Sequence, residues 1–285
     1  MSQLRKTLLT AINRVGRIIP KKLQRRLADS PIVLHAFEKL SNNQLEEIQT
    51  PEGYSLIINP LFHSNLIHSG HLKDHEPDTR SIISQSTKQN MIAYDIGANV
   101  GVFSFLFASI VGDDGKVYAF EPEENNYICL EKSLKKYSKN NIILDKRAVG
   151  DSKGVAQFDR RGGAFSGRLI DSEQYNPTAN IKQVEVVNID YLIEQENYPV
   201  PDILKIDVEG NEAIVLEGMR NTLEQHSPII ICELHTHLGE TVERVISLLT
   251  NRGYQVSDVE LKSDQTQPQQ ETKSGDRHII AIKQC

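Results

Sequence analysis

At 285 residues, 39% hydrophobic and 25% charged, the chain has the length and balance of a globular protein with one large domain or two small ones. A net charge of −6 argues against a nucleic-acid partner, and three separated cysteines, Cys129, Cys232 and Cys285, match neither a disulfide framework nor a zinc site. Reduced thiols point to a cytoplasmic location, no apolar run reaches the ~20 residues of a membrane span, and the N-terminus lacks a signal-peptide core.

The charge is unevenly placed. Residues 1 to 28 hold eight basic side chains and no acid, leaving 24 basic against 38 acidic residues elsewhere, a balance of −14. Leu4, Leu8, Ile12, Val15, Ile19 and Leu23 recur at helical spacing, so this segment is expected to form a basic amphipathic helix, kinked or divided at Pro20. The favoured reading docks the apolar stripe on the chain's own acidic body. The alternative is peripheral contact of residues 1–28 with an anionic membrane, and the same stripe would serve either. Charge attraction is screened beyond ~8 Å at physiological salt, so the apolar contacts must carry the docking.

Residues 53–60, "GYSLIINP", read as one strand, and residues 68–90 as a loop followed by a polar helix. From residue 91 onward, strand and helix patterns alternate. Strands are expected at Met91–Asp95, Lys116–Glu121, Asn141–Ala148, Ile203–Asp207, Ile229–Leu234, Tyr254–Val259 and His278–Lys283. Helices are expected at Val102–Ile110, Asn125–Lys139, Asn211–Leu223 and Thr241–Arg252. This alternation specifies an α/β, doubly wound, mostly parallel sheet with helices on both faces. The polar stretch 263–276 reads as a loop before the last strand.

In such a sheet, ligands bind beyond the carboxyl ends of the strands, so each tip carries the chemistry. The first tip reads Asp95-Ile-Gly97-Ala-Asn99-Val-Gly101. Gly97 and Gly101 allow close backbone approach, but their spacing is not that of a dinucleotide site, which speaks against an NAD-dependent oxidoreductase. Asp95 would repel a pyrophosphate and attract a cationic amino acid moiety. Alternatively, it caps the following helix. Glu121 ends the second strand, about 20 residues beyond the glycine turn, where a carboxylate accepts hydrogen bonds from ribose hydroxyls. Pro122 would equally suit a helix start.

The tip "DILKIDVEGNE" is the most charged. Lys205 and Asp207 alternate along their strand and so face the same side, which requires a ligand, an ion pair or both. The tip "IIICELHTH" ends in Glu233, His235 and His237, which invite a metal reading. Their i, i+2 spacing is not the helical His-Glu-x-x-His arrangement, so proton transfer near neutral pH is the better use of a histidine here. Nothing in the sequence demands a metal, and insensitivity to a chelator is expected.

Taken in order, "YDIGANVGVFSF", "FEP", "RAVGD", "LKIDVEGNE" and "IIICELH" strongly resemble the FkbM family of S-adenosylmethionine-dependent methyltransferases over roughly residues 76–237. "HEP" at 75–77 looks like the Glu-containing element that precedes the glycine motif in that family. The resemblance implies a class I methyltransferase fold, Rossmann-like, with seven strands and the last one antiparallel. It makes residues 61–285 the methyltransferase domain and 1–60 an N-terminal extension. It also implies S-adenosyl-L-methionine as cofactor, with Glu76, Asp95, Gly97, Asn99 and Gly101 near its amino acid half. Glu121 would take the ribose, and Arg147 with Ala148 the adenine edge. Family members methylate hydroxyl oxygens on polyketides, sugars and other metabolites or glycans. The acceptor expected here is a small-molecule, glycan or lipid-linked glycan hydroxyl. The loop "GGAFSGRL" at 162–169 would cover it. Asp207 and Glu209 are the first candidates to orient the acceptor or serve as base, with His235 and Lys205 behind them. Because Lys205 would lower the pKa of Asp207, His235 is the alternative base. A non-catalytic cofactor-binding or recruitment module of the same fold is the alternative function.

Overall fold

The computed structural model describes residues 45–60, 62–63, 66, 72, 75–137, 140–159, 168–170, 181–235, 240–259 and 277–283. The amphipathic segment 1–28, most of the 162–169 loop, His237 and the polar 263–276 stretch lie outside the described residues.

The first described elements are β1 (Glu46–Gln49) and β2 (Ser55–Ile58), a hairpin paired antiparallel with Glu46 opposite Ile58. This segment falls within the 1–60 extension expected from sequence. Leu56 and Ile58 are nonetheless fully buried in the same core as the first helices of the sheet. The hairpin is further tied down by Ile57 N–H donating to Ser133 Oγ at 2.8 Å and Ser55 N–H to Tyr137 Oη at 3.0 Å.

Next come α1 (Pro77–Ser86), β3 (Ile92–Ile96), α2 (Val102–Val111), β4 (Lys116–Phe120), α3 (Glu124–Tyr137) and β5 (Ile142–Asp145). After a smaller sheet follow α4 (Ile189–Glu196), β10 (Ile203–Ile206), α5 (Glu212–Glu217), α6 (Arg220–Gln225), β11 (Ile229–Leu234), α7 (Glu240–Thr250), β12 (Tyr254–Asp258) and β13 (Arg277–Lys283). The seven-stranded sheet runs in the order β12-β13-β11-β10-β3-β4-β5. Neighbours are parallel except that β13 is antiparallel to both β11 and β12. This is the class I methyltransferase topology, including its antiparallel last strand.

Two cores flank the sheet because successive strand residues face opposite sides. Ala93, Val117, Ile203 and Ile231 pack with α2 and α3 on one face. Tyr94, Ile96, Leu204, Ile206 and Cys232 pack with α4, α5 and α7 on the other. Helix α2 carries apolar residues on nearly every side and is buried almost throughout, as a helix between a sheet and further helices must be.

Strand β1 and helix α4 are not among the expected elements, and three further segments differ from the sequence expectation. The strand expected at Asn141–Ala148 is interrupted, because the Asp145 carboxylate accepts from the backbone N–H of Arg147 at 2.9 Å and also binds its guanidinium. Ala148–Val149 (β6) therefore leaves the main sheet and joins a second one. That sheet, in the order β6-β9-β7-β8, contains β7 (Gly154–Asp159), β8 (Arg168–Ile170) and β9 (Ile181–Val187), none of which the periodicity identified. The helix expected over Asn211–Leu223 is split at Gly218 and Met219. A Cβ at Gly218 would lie 2.0 Å from the carbonyl oxygen of Gly150, so the backbone is pressed against the second sheet at the break. Among the described residues, no helix is long and apolar enough to cross a membrane.

Candidate functional site

The C-terminal ends of β3, β4 and β10 meet at one place. After β3 the chain turns sharply, with Gly97, Asn99 and Gly101 at φ of 82°, 52° and 94°. The N–H groups of Gly97 and Ala98 donate to the Phe120 carbonyl at the tip of β4, at 3.1 and 2.9 Å. On the other side, a Cβ on Gly97 would sit 1.9 Å from the Asp207 carbonyl oxygen. A side chain there would force the tips apart. Gly101 meets a different constraint, since its Cβ would lie 2.4 Å from Leu130 of α3.

Two clefts open from this junction. The first is lined by Gly97, Asn99, Glu121, Arg147, Ala148 and Asp207 among others. Phe158 and Leu169 of the second sheet close its far wall. The second is lined by Glu76, Asn99, Lys205, Asp207, Glu209 and His235, with His75, Phe103 and Glu233 beside them. Gly97, Asn99, Asp207 and Glu209 border both clefts. Of the site residues expected from sequence, Asp95 and Gly101 line neither cleft.

Asp95 is fully buried beneath the turn, and one of its oxygens accepts the Ser104 hydroxyl of α2 at 2.5 Å. The other oxygen, Oδ1, has no hydrogen-bond partner among the described residues. Helix α2 is capped by Gly101 with no side-chain cap bond, so Asp95 does not cap it. Asp95 stands directly across from Lys205 in the β3–β10 register. Burial pushes its carboxyl above the usual range against the pull of the lysine.

Glu121, 4% exposed, accepts from Asn99 N–H at 2.7 Å and from Glu123 N–H at 2.8 Å. Its carboxylate thus staples the β4 tip to the glycine turn, and burial pushes its pKa up to about 8. Arg147 is held by Asp145 and by Glu196 at 2.6 and 2.9 Å, so its backbone and that of Ala148 present a fixed edge to the first cleft.

Lys205, 2% exposed, is the central cation of the second cleft. Its Nζ donates to Asp207 Oδ2 at 3.0 Å and sits 4.9 Å from the ring centre of Phe103. Burial opposes the ammonium charge, but Asp207, Asp95, Glu76 and Glu233 outweigh it and hold the proton on. Burial would raise Asp207, yet Lys205 and His235 keep it below the usual carboxylate range. Of the alternatives open from sequence, the Lys205–Asp207 ion pair therefore exists, with Lys205 buried and Asp207 half-buried at the clefts.

His235, 5% exposed, lies between three carboxylates. Its Nδ1 pairs with Glu212 Oε1 at 3.1 Å, while Nε2 stands 3.4 Å from Glu209 Oε2 and 3.9 Å from Asp207 Oδ1. Burial disfavours its charge, but the Glu212 hydrogen bond and the Asp207 and Glu209 carboxylates push its pKa up to about 10. Burial pushes Glu209 up to about 7, with His235 opposing. Sequence reasoning missed Glu212, whose carboxylate is fully buried at the start of α5. An acid in the first turn of a helix is ordinary, and only its contact with His235 singles it out. Glu233 turns the other way, its Oε1 3.2 Å from His278 Nε2 of β13. It thus approaches Glu76 rather than His235, and Glu76, Glu233 and His278 form a second compact group.

The sequence profile described as the methyltransferase FkbM domain matches residues 95–256. Two characterised proteins are similar to the chain. The hexuronic acid methyltransferase AglP of Haloferax volcanii is 25% identical over 67% of this chain and 74% of its own length. The 31-O-demethyl-FK506 methyltransferase FkbM of Streptomyces tacrolimicus is 25% identical over 58% of this chain and 73% of its own length. Among solved structures, a methyltransferase FkbM from Methylobacillus flagellatus is 15% identical, with a TM-score of 0.47 over 71% of this chain and 50% of that one.

Proposed function

This chain belongs to the FkbM methyltransferase family, and from that premise we propose that it methylates a hydroxyl oxygen of a saccharide or glycan, free or lipid-linked. It is an S-adenosylmethionine-dependent enzyme. The observation that carries the reading is the continuity of the two clefts across Gly97, Asn99, Asp207 and Glu209, which gives one pocket for a cofactor and an adjoining one for an acceptor. The sugar assignment is supported by the hexuronic acid acted on by the Haloferax volcanii relative.

The residues present suit the cofactor. Gly97 lets the β3 turn close against the β10 tip, which brings Asn99 and Asp207 to one junction, and the site offers carboxylates instead of a phosphate cradle. When bound, the cofactor supplies a methyl group activated by a positively charged sulfur. In our reading Glu121 accepts the ribose hydroxyls, and the edge at Arg147 and Ala148 borders the adenine. Gly97, Asn99 and Glu76 border the amino acid half. Asp95 acts from behind the turn, through its field and its bond to Ser104, and Gly101 acts by letting α2 start against α3. Asp207, Glu209 and His235 receive and align the acceptor hydroxyl in the second cleft, while Lys205 fixes Asp207. Alignment of this kind removes much of the entropic part of a two-reactant barrier.

Calorimetric titration with S-adenosylhomocysteine, then transfer of radiolabelled methyl from S-adenosylmethionine into cell-extract fractions, tests the proposal. Binding by the intact protein that is lost in Glu121→Ala, with label in saccharide pools, is the expected result. Unchanged binding in that variant would overturn the cofactor placement, and label mainly in protein or nucleic acid would overturn the acceptor class.

A further inference from the structure

We propose that Asp207, Glu209 and His235 form a divalent-cation site at the tips of β10 and β11. Resting on the O-methylation reading above, we assign the cation the role of gripping the acceptor hydroxyl. One ligand atom from each residue lies within 4.8 Å of the other two. Ligands about 2.1 Å from one ion stand about 3.0 Å apart at a right angle and about 4.2 Å apart when opposite. The Nε2 separations of 3.4 Å to Glu209 and 3.9 Å to Asp207 fall between these limits. Glu209, whose side chain is 26% exposed, has the freedom to close the remaining gap.

The group is more than a cluster of acids, because its innermost member is a buried imidazole already oriented as a ligand. Glu212 holds Nδ1, and Gly210 N–H fixes the same Glu212 oxygen at 2.9 Å, so the ring can only turn Nε2 toward Asp207 and Glu209. A histidine ligand held through its far nitrogen by a carboxylate is the usual support of a metal-binding imidazole. Asp207 is prepared in a similar way. Lys205 occupies Oδ2, leaving Oδ1 as the oxygen nearer His235.

The charge also matches. Asp207, Glu209 and Glu212 against Lys205 and a protonated His235 leave one negative charge, and a divalent ion would displace the Nε2 proton of His235 to solvent and take its place among the carboxylates. One nitrogen and two oxygen donors suit an ion such as Mn²⁺, with coordination positions left over. A hydroxyl occupying one of them would be held in the second cleft and would release its proton to solvent more readily. This reverses the expectation drawn from the i, i+2 spacing. The ligands come from two strand tips, so no local motif could reveal them.

Mn²⁺ added to the full-length protein and followed by electron paramagnetic resonance tests the site. One bound Mn²⁺ per chain with a nitrogen coupling in the pulsed spectrum is expected. His235→Gln should abolish the coupling, and Glu209→Gln should weaken binding at least tenfold. Glu212→Gln should keep the coupling while weakening binding by roughly 10–100-fold. No uptake by the unmodified protein, or unchanged affinity in both His235→Gln and Glu209→Gln, would overturn the proposal. Circular dichroism confirms that each variant folds; if His235→Gln does not, the more exposed Glu209 position decides. Parallel titration with S-adenosylhomocysteine separates the two readings. Product binding without Mn²⁺ binding defeats the cation site alone, and Mn²⁺ binding without product binding defeats the cofactor assignment alone.

Discussion

Replacing Gly97 with alanine isolates the contact that joins the two clefts. Gly97 has φ +82° and Gly53, in the β1–β2 turn, has φ +86°, so alanine meets the same backbone penalty at both positions, roughly 1–2 kcal/mol. The surroundings differ completely. A Cβ at Gly53 meets nothing within 4 Å, whereas at Gly97 it would lie 1.9 Å from the Asp207 carbonyl oxygen and 3.0 Å from its carbonyl carbon. Both atoms are backbone, so no side chain can swing away. The β3 turn and the β10 tip must separate, and overpacking of this kind adds about 1–3 kcal/mol. Gly53→Ala is therefore expected to lose about 1–2 kcal/mol and Gly97→Ala about 2–5 kcal/mol in urea denaturation. Because the displaced Asp207 borders both clefts, Gly97→Ala should also lose affinity for S-adenosylhomocysteine while Gly53→Ala keeps it. Destabilisation of the two variants to within about 0.5 kcal/mol of each other would refute the steric argument.

Two further changes probe the charges. Lys205→Met keeps the aliphatic stem but leaves buried carboxylates without their cation, so a loss of roughly 3–5 kcal/mol is expected at pH 7.5, shrinking as acid protonates them. A loss below about 1 kcal/mol at pH 7.5 would mean that the lysine is not what holds the cluster together. The second change uses the raised pKa of Glu121, about 8 in the folded protein against a usual 4.5. Between those values the folded state keeps a proton that the unfolded chain has released, so this group's contribution is complete below 4.5 and is lost as pH rises through about 8. The stability of the unmodified protein minus that of Glu121→Gln should accordingly fall across that window and level off above it. A flat difference would show that the carboxyl titrates normally.

The parts of the fold that sequence made legible are those that bury a whole strand or helix face. Ile92–Ile96, Ile203–Ile206 and Ile229–Leu234 are central parallel strands covered on both sides, so they read as apolar runs. The small sheet did not show because it buries little. Val155 in β7 is 65% exposed, and β9 alternates only weakly before reaching the buried Val186 and Val187. The break between α5 and α6 was equally hidden. It depends on Gly218 meeting Gly150, a contact between segments far apart in the chain that no helical periodicity encodes.

At the site, residue type was legible and partnership was not. The acid at each tip follows from the sequence, but what each acid does depends on which sheet face it shares and with whom. Lys205 and Asp95 lie opposite each other in parallel register, and Lys205 is also aligned with Ile231, two residues before Glu233. Parity along the strands therefore gathers Asp95, Lys205 and Glu233 on the face covered by α2, where Phe103 overlies the ammonium. A shift of one residue in any of these strands would send its charged side chain into the opposite, apolar core. The charged groups thus reinforce the register that the apolar residues set. The same parity carries Asp207 and His235 to neighbouring tips, where Glu212 from α5 then turns the imidazole. The chemistry of the second cleft is in this sense a product of register. Three carboxylates and a histidine scattered over 29 positions, from Asp207 to His235, become one group only when β10 and β11 pair in parallel.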